Sequence, residues 1–181
     1  LNGAGLSSDG ALRSISGDNA ISGAITLNDA TRINSDSGTL TLSGTISGAG
    51  QNLTVGGSGN VTLSGVLGTA TGTLTKDGAG TLTLSGVSAN TSTGTATVNA
   101  GTLDLQKTAG VDALAGSVTV GDGSGTDTLR LLADNQIADS VSVTLNSSGV
   151  LNLNNFSETV KAVESTSSAA QIQLGSGTLT L

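Results

Sequence analysis

Glycines 38, 59, 80 and 101 stand 21 residues apart, and each opens a run of one pattern. The runs are Gly38-Thr-Leu-Thr-Leu-Ser-Gly44, Gly59-Asn-Val-Thr-Leu-Ser-Gly65, Gly80-Thr-Leu-Thr-Leu-Ser-Gly86 and Gly101-Thr-Leu-Asp-Leu-Gln-Lys107. One step back falls on Gly17, which opens Gly17-Asp-Asn-Ala-Ile-Ser-Gly23. A fixed period of this length marks a repeat architecture, in which each unit buries its apolar face only against its neighbours.

Within each frame apolar residues alternate with polar ones, as in Leu40/Leu42, Val61/Leu63, Leu82/Leu84 and Leu103/Leu105. That is the period of a strand with one buried face. A second short strand recurs later in each frame, at Thr31 to Ile33, Asn52 to Val55, Thr73 to Thr75 and Thr95 to Val98. Thr and Val with frequent Gly are poor helix formers, and no stretch shows apolar spacing of three and four. A sandwich of hairpins and a parallel solenoid remain. Equivalent residues at a constant period favour the solenoid, with coils stacked ~4.8 Å apart and like residues forming ladders. The expected fold is therefore all-β, a parallel β-helix with a 21-residue coil, making eight to nine coils in 181 residues. At the usual strand spacing the rod is roughly 40 Å long. Leu, Val and Ile columns fill it, Thr and Ser columns cover it, and glycines serve bends that need positive φ.

Past residue 107 the spacing becomes irregular, although Gly125-Thr-Asp-Thr-Leu-Arg-Leu-Leu132, Val141 to Leu145, Gly149 to Leu153 and Gly177 to Leu181 still read as strands. The chain thus reads as a single β-helix module over 1–181, with regular coils at about 17–107 and longer loops over 108–181. Leu131 to Ile137 is the one place where a helical turn competes.

Composition removes whole classes of chemistry. There is no His, Cys, Pro, Met, Trp or Tyr, and Phe156 is the one aromatic residue. Histidine general-base catalysis, thiol chemistry, thiolate metal sites and disulfides are excluded. The lack of Cys suits passage through an oxidising compartment and is compatible with a reducing one. The net charge of −7 and the scattering of Arg13, Arg32, Lys76, Lys107, Arg130 and Lys161 argue against nucleic acid and anionic membranes as partners. Charged residues are 10% and mean hydropathy is +0.17, which favours a folded chain over an expanded one. No run is long and apolar enough for a transmembrane helix, and no signal peptide opens the chain, so it reads as cytosolic or as a piece of a longer secreted protein.

The segment Leu74-Thr-Lys-Asp-Gly-Ala-Gly-Thr-Leu-Thr-Leu-Ser-Gly86, continuing through Ala89 to Leu103, resembles the passenger-associated transport repeat of bacterial autotransporters. Ser92 stands where that family often has Tyr. Leu131 to Ile137, and Leu151 to Val160 running into Leu174 to Leu181, are also similar to repeats of large autotransporter-like surface proteins. The resemblance implies a right-handed parallel β-helix, exported from a Gram-negative bacterium and displayed or shed outside the cell. It implies no activity, because passengers of this fold include adhesins, enzymes and inert stalks.

Candidate sites are few. Asp122-Gly-Ser-Gly-Thr-Asp-Thr-Leu129 is near the calcium nonapeptide of repeats-in-toxin proteins, but Asp122 replaces the first glycine and one copy cannot bracket an ion between turns. An acidic bend is the simpler reading. The carboxylate pairs Asp9/Asp18, Asp29/Asp36, Asp134/Asp139 and Glu158/Glu164 could in principle serve glycosidase or lyase chemistry. With one Phe to stack a sugar, they read as solvated loop charges. A serine–lysine pair needs Lys76, Lys107 or Lys161 buried beside a Ser, for which the sequence offers no sign. Phe156 reads as a plug in a wide bend rather than a binding anchor. Asn52, Asn60, Asn90, Asn146 and Asn155 match the glycosylation triplet and are better read as Asn ladders. No catalytic residue, cofactor-binding residue or metal ligand is assigned, and no cofactor and no small-molecule substrate are expected.

The chain begins Leu1-Asn-Gly-Ala-Gly5 and stops on the strand Gly177 to Leu181, without polar caps for its strand edges. If a second copy followed directly, Gly177 would precede the next Gly17 by 21 residues, the same step as within the repeat. The expectation is one module of a tandem or head-to-tail array: a structural extracellular stalk or filament, built by end-to-end stacking with itself as partner. The alternative is an adhesin passenger that binds a host or neighbouring cell surface through the bends beyond residue 107. A polysaccharide-active enzyme ranks last.

Overall fold

In the computed structural model, which describes residues 1–181, short strands wind into a parallel β-solenoid of eight coils. Two eight-stranded sheets run its whole length. The first takes Leu12–Ser14, Thr31–Ser35, Leu53–Gly56, Leu74–Lys76, Ala96–Val98, Val118–Val120, Ser142–Leu145 and Ala162–Ser165 in that order. The second takes Asn19–Ile21, Thr39–Leu42, Asn60–Leu63, Thr81–Gly86, Gly101–Lys107, Asp127–Leu131, Gly149–Asn152 and Gln171–Gln173. Every pairing is parallel, as expected when each coil repeats the path of the last.

A third side closes each coil less regularly. Ile25–Thr26, Ile46–Ser47 and Leu67–Gly68 form a small sheet, Leu114 and Ile137 share an isolated bridge, and Glu158–Thr159 pairs with Leu179–Thr180. Two-residue strands are too short to show alternation, so this side escapes a pattern search. Ile25, Ile46 and Leu67 nevertheless keep the 21-residue step.

Register turns the repeat into columns. In the second sheet Leu40, Val61, Leu82, Leu103, Leu129 and Leu151 stack on one another, with Leu42, Leu63, Leu84, Leu105 and Leu131 beside them. All are buried and belong to one core of 31 residues. On the outside of the first sheet Thr54, Thr75, Thr97, Thr119 and Thr144 form the matching polar column. The glycines that set the period are required by contact between coils. A Cβ on Gly80 would collide with the carbonyl oxygen of Gly59, and one on Gly38 with that of Gly17.

The structure resolves one irregularity past residue 107 and corrects two expectations. The glycine column continues into Asp127, which lies in register between Gly101 and Gly149. Asp127 rather than Gly125 is therefore the frame residue, and this coil takes 26 residues before the next takes 22. Leu131 to Ile137 forms no helical turn. The strand ends at Leu131 and the chain bends inward to bury Gln136 and Ile137, and the sole helical element is a 3-10 turn at Leu6–Ser8. Gly177 to Leu181 does not repeat the second-sheet strand. Gln171–Gln173 already occupies that place, with Ile172 stacked on Leu151, so Leu179–Thr180 falls on the third side against Glu158–Thr159. The 21-residue seam therefore joins positions that are not equivalent.

Candidate functional site

Where the third side loses its strands, buried polar side chains take over the inter-coil hydrogen bonds. Asn90 is 5% exposed. Its Oδ1 accepts from the Leu67 N–H at 2.9 Å and its Nδ2 donates to the Ala113 carbonyl at 2.9 Å, so one carboxamide joins the coil before to the coil after. Beside it the Ser92 hydroxyl accepts from the Thr69 N–H at 2.9 Å and donates to the Leu67 carbonyl at 3.1 Å. Two coils on, Gln136 accepts from the Lys107 N–H at 2.7 Å, and its own N–H donates to Glu158 Oε2 at 2.8 Å. Buried peptide groups must find partners, and side chains supply them where the strand ladder stops.

Ionisable groups lie in this interior as well. Lys76 sits in an inward column between Val55 and Val98. Its ammonium donates to the carbonyls of Asp77, Gly78 and Ala100 at 2.8, 2.7 and 2.9 Å. Burial pulls its pKa down to about 8, against the opposing pull of the Asp77 and Asp127 carboxylates. Lys107 is buried likewise, its pKa lowered by burial, and it donates to the Ser85 carbonyl at 2.8 Å. Burial raises Glu158 to about 7, although the N–H groups of Gln136, Thr159 and Ile137 favour its carboxylate; the charge of Asp139 adds to the rise. Asp112 is raised by burial first and by Asp139 second.

The sequence-level pairs are mostly separated. Asp9 meets Asp36 rather than Asp18, with Arg13 bridging both at 2.7 and 2.6 Å. Asp18 accepts the Thr39 N–H one coil on, and Asp29 the N–H of Ala30 within its own turn. Asp134 accepts the Ser157 N–H, while Asp139 lies near Asp112 and Glu158. Glu158 is inside the third side, whereas Glu164 is exposed on the first sheet beside Thr144. Lys76 and Lys107 are both buried, contrary to the sequence reading, but carbonyls bind their ammoniums and neither is hydrogen-bonded to a hydroxyl. Lys161 is exposed.

At the acidic bend, Asp127 is 1% exposed and accepts from the Ser148 hydroxyl at 2.5 Å and the Asp122 N–H at 3.3 Å. Asp122 accepts the Ser124 N–H. These carboxylates serve the loop's own donors, and no group of three or more acidic side chains is arranged to hold a metal ion there or elsewhere. Phe156 is partly buried and packs against the core. Each of the five triplet asparagines bonds to an adjoining coil: Asn52 to Thr73, Asn60 to Thr81, Asn90 to Leu67, Asn146 to Gly121 and Asn155 to Ser176.

What these parts define is a parallel β-solenoid whose polar interior is structural. Residues 74–105 match the family model described as the passenger-associated-transport-repeat, a stretch that holds Lys76, Asn90 and Ser92. No curated protein and no solved structure matches the chain. A solenoid carrying that repeat fits an autotransporter passenger with a parallel β-helix, and the repeat family implies a secreted or cell-surface place in Gram-negative bacteria.

Proposed function

We propose that this chain is a stretch of an extracellular β-solenoid stalk or filament that lengthens by stacking coil upon coil and does no catalysis. The observation that supports this is the unbroken parallel register of both large sheets over eight coils. Such stacking draws stability from backbone pairing and apolar ladders, with no need of a ligand. The partner in this reading is another solenoid coil, of the same chain or of a second copy. It would meet Leu12, Ile21 and Ile25 at one end of the rod or Val163, Ile172 and Leu179 at the other. Electron microscopy of the purified protein tests it: filaments with an axial repeat near ~4.8 Å support the stacking role, and short rods that never join end to end overturn it.

A second reading, an adhesin passenger that binds a host or neighbouring cell, is favoured by the exposed loop Asp122 to Thr126 in the longest coil. Cell binding that vanishes when this loop is shortened, with the rod intact, would select it.

A further inference from the structure

We propose that the outer face of the first sheet binds ice. Its central column is Thr54, Thr75, Thr97, Thr119 and Thr144, in strict register over five coils. Two positions earlier along four of the five strands, Thr73, Thr95, Ser117 and Ser142 form a second column on the same outward side, with Asn52 in that place before Thr54. Ladder bonds from Leu53 N to the Thr73 carbonyl, Leu74 N to Thr95 and Ala96 N to Ser117 tie it together. None of these nine hydroxyls enters a hydrogen bond with another group of the protein, and none of the nine residues is buried. The two columns carry no charge between Arg32 at one end and Glu164 at the other, and Asp77 beside them on the same outward side is neutralised by its ion pair with Arg32.

The backbone fixes the geometry of this array. Neighbours along the rod are ~4.8 Å apart and neighbours along a strand about 6.7 Å apart, a rectangular net close to that of oxygen atoms on a prism plane of ice. Threonine suits the task because its hydroxyl both donates and accepts while its methyl orders the water beside it. Fixing a water costs entropy, and hydroxyls held in the lattice pattern lower that cost at the ice front. β-Branched side chains are stiff at χ1, which keeps the net regular.

Other occupants fit less well. The array covers on the order of 200 Å² from these spacings, far below the ~800 Å² per partner of a stable protein interface. A polysaccharide would lack aromatic platforms, since Phe156 is the one aromatic residue and packs on the core. An ionic surface finds no unpaired charge within the two columns, since Asp77 beside them is paired with Arg32.

The test is the growth of single ice crystals in a solution of the full chain, read as crystal shape and as the gap between melting and freezing points. The expected result is faceted crystals and a measurable gap. Both should be lost in Thr97→Lys and in Thr119→Lys, with the circular dichroism and melting temperature of the parent. Thr62→Lys, on the outside of the second sheet, should retain both. Round, freely growing crystals with the parent protein overturn the proposal, as does equal loss in Thr62→Lys. Retention on insoluble polysaccharide, lost in Thr97→Lys and without any effect on ice, also overturns it and assigns the face to a glycan.

Discussion

Arg32 and Asp77, two coils apart, form a two-point ion pair at 2.7 and 2.8 Å that passes over Gly56 in the coil between them. A Cβ on Gly56 would occupy the space of the Asp77 carboxylate and the Arg32 guanidinium. Both side chains remain partly open to solvent, at 22% and 33%, so the pair contributes about 1 kcal/mol or less. Gly56→Ala should therefore lower the melting temperature by only a few degrees and remove part of its salt sensitivity. Melting curves at low and high salt, for this variant and for Arg32→Met, check it. A parent whose stability ignores salt would refute the pair as a contributor.

Asn90 offers a sharper test, because its carboxamide is buried and serves two coils at once. Asn90→Leu keeps the volume but strands the Leu67 N–H and the Ala113 carbonyl, each orphan costing about 1–3 kcal/mol. The expected loss is roughly 2–6 kcal/mol by denaturant titration. In a solenoid each coil leans only on its neighbours, so faster amide exchange should centre on Leu67 and Thr69 rather than spread over the rod. Uniform exchange along all eight coils would contradict the local role.

The period and the Leu and Thr columns were legible because a strand alternates and a coil repeats: Leu82 and Leu84 declare their face by parity and their stacking by the 21-residue step. The same parity places Lys76 inward after Leu74, and Lys107 inward after Leu105, yet a lysine suggests solvent and the rule was overridden. Only the three carbonyls around Lys76 explain how its charge is tolerated. Asn90, Gln136 and Glu158 were hidden for another reason. They replace ladder bonds at breaks in the third side, and such breaks have no pattern of their own. Asp127 could not be read as the frame residue because Gly125-Thr imitates the start of a frame two residues too early.

Glu158 should make the later coils sensitive to pH. Its carboxyl is raised from an ordinary value of 4.5 to about 7, mainly by burial. Between those values the folded coil holds a proton that the unfolded chain has released, so stability is greatest below about 4.5 and falls as pH rises through about 7. The full swing is on the order of 3 kcal/mol. Glu158→Gln cannot ionise and should flatten this slope, although its single carbonyl serves fewer of the three N–H groups. Denaturant midpoints at pH 5 and pH 8 for both proteins measure it, and a parent that is equally stable at the two values contradicts it.

Lys76 should act in the opposite direction and in a higher window. Its ammonium is lowered from 10.5 to about 8, chiefly by burial, so between those values the unfolded chain binds the extra proton. Stability therefore rises with pH from about 8 toward 10.5. Lys76→Met fills the column between Val55 and Val98 with an apolar chain but leaves the carbonyls of Asp77, Gly78 and Ala100 without their donor. The two effects oppose each other near neutral pH, whereas the slope above pH 8 belongs to the buried ammoniums, Lys76 together with Lys107. The Met variant should lose the Lys76 share of that slope and keep the share of Lys107, while Glu158→Gln keeps the whole. Unfolding midpoints at pH 7.5 and pH 10 for the three proteins separate the two groups, and a Met variant whose alkaline gain equals that of the parent would show that Lys76 does not contribute to the slope.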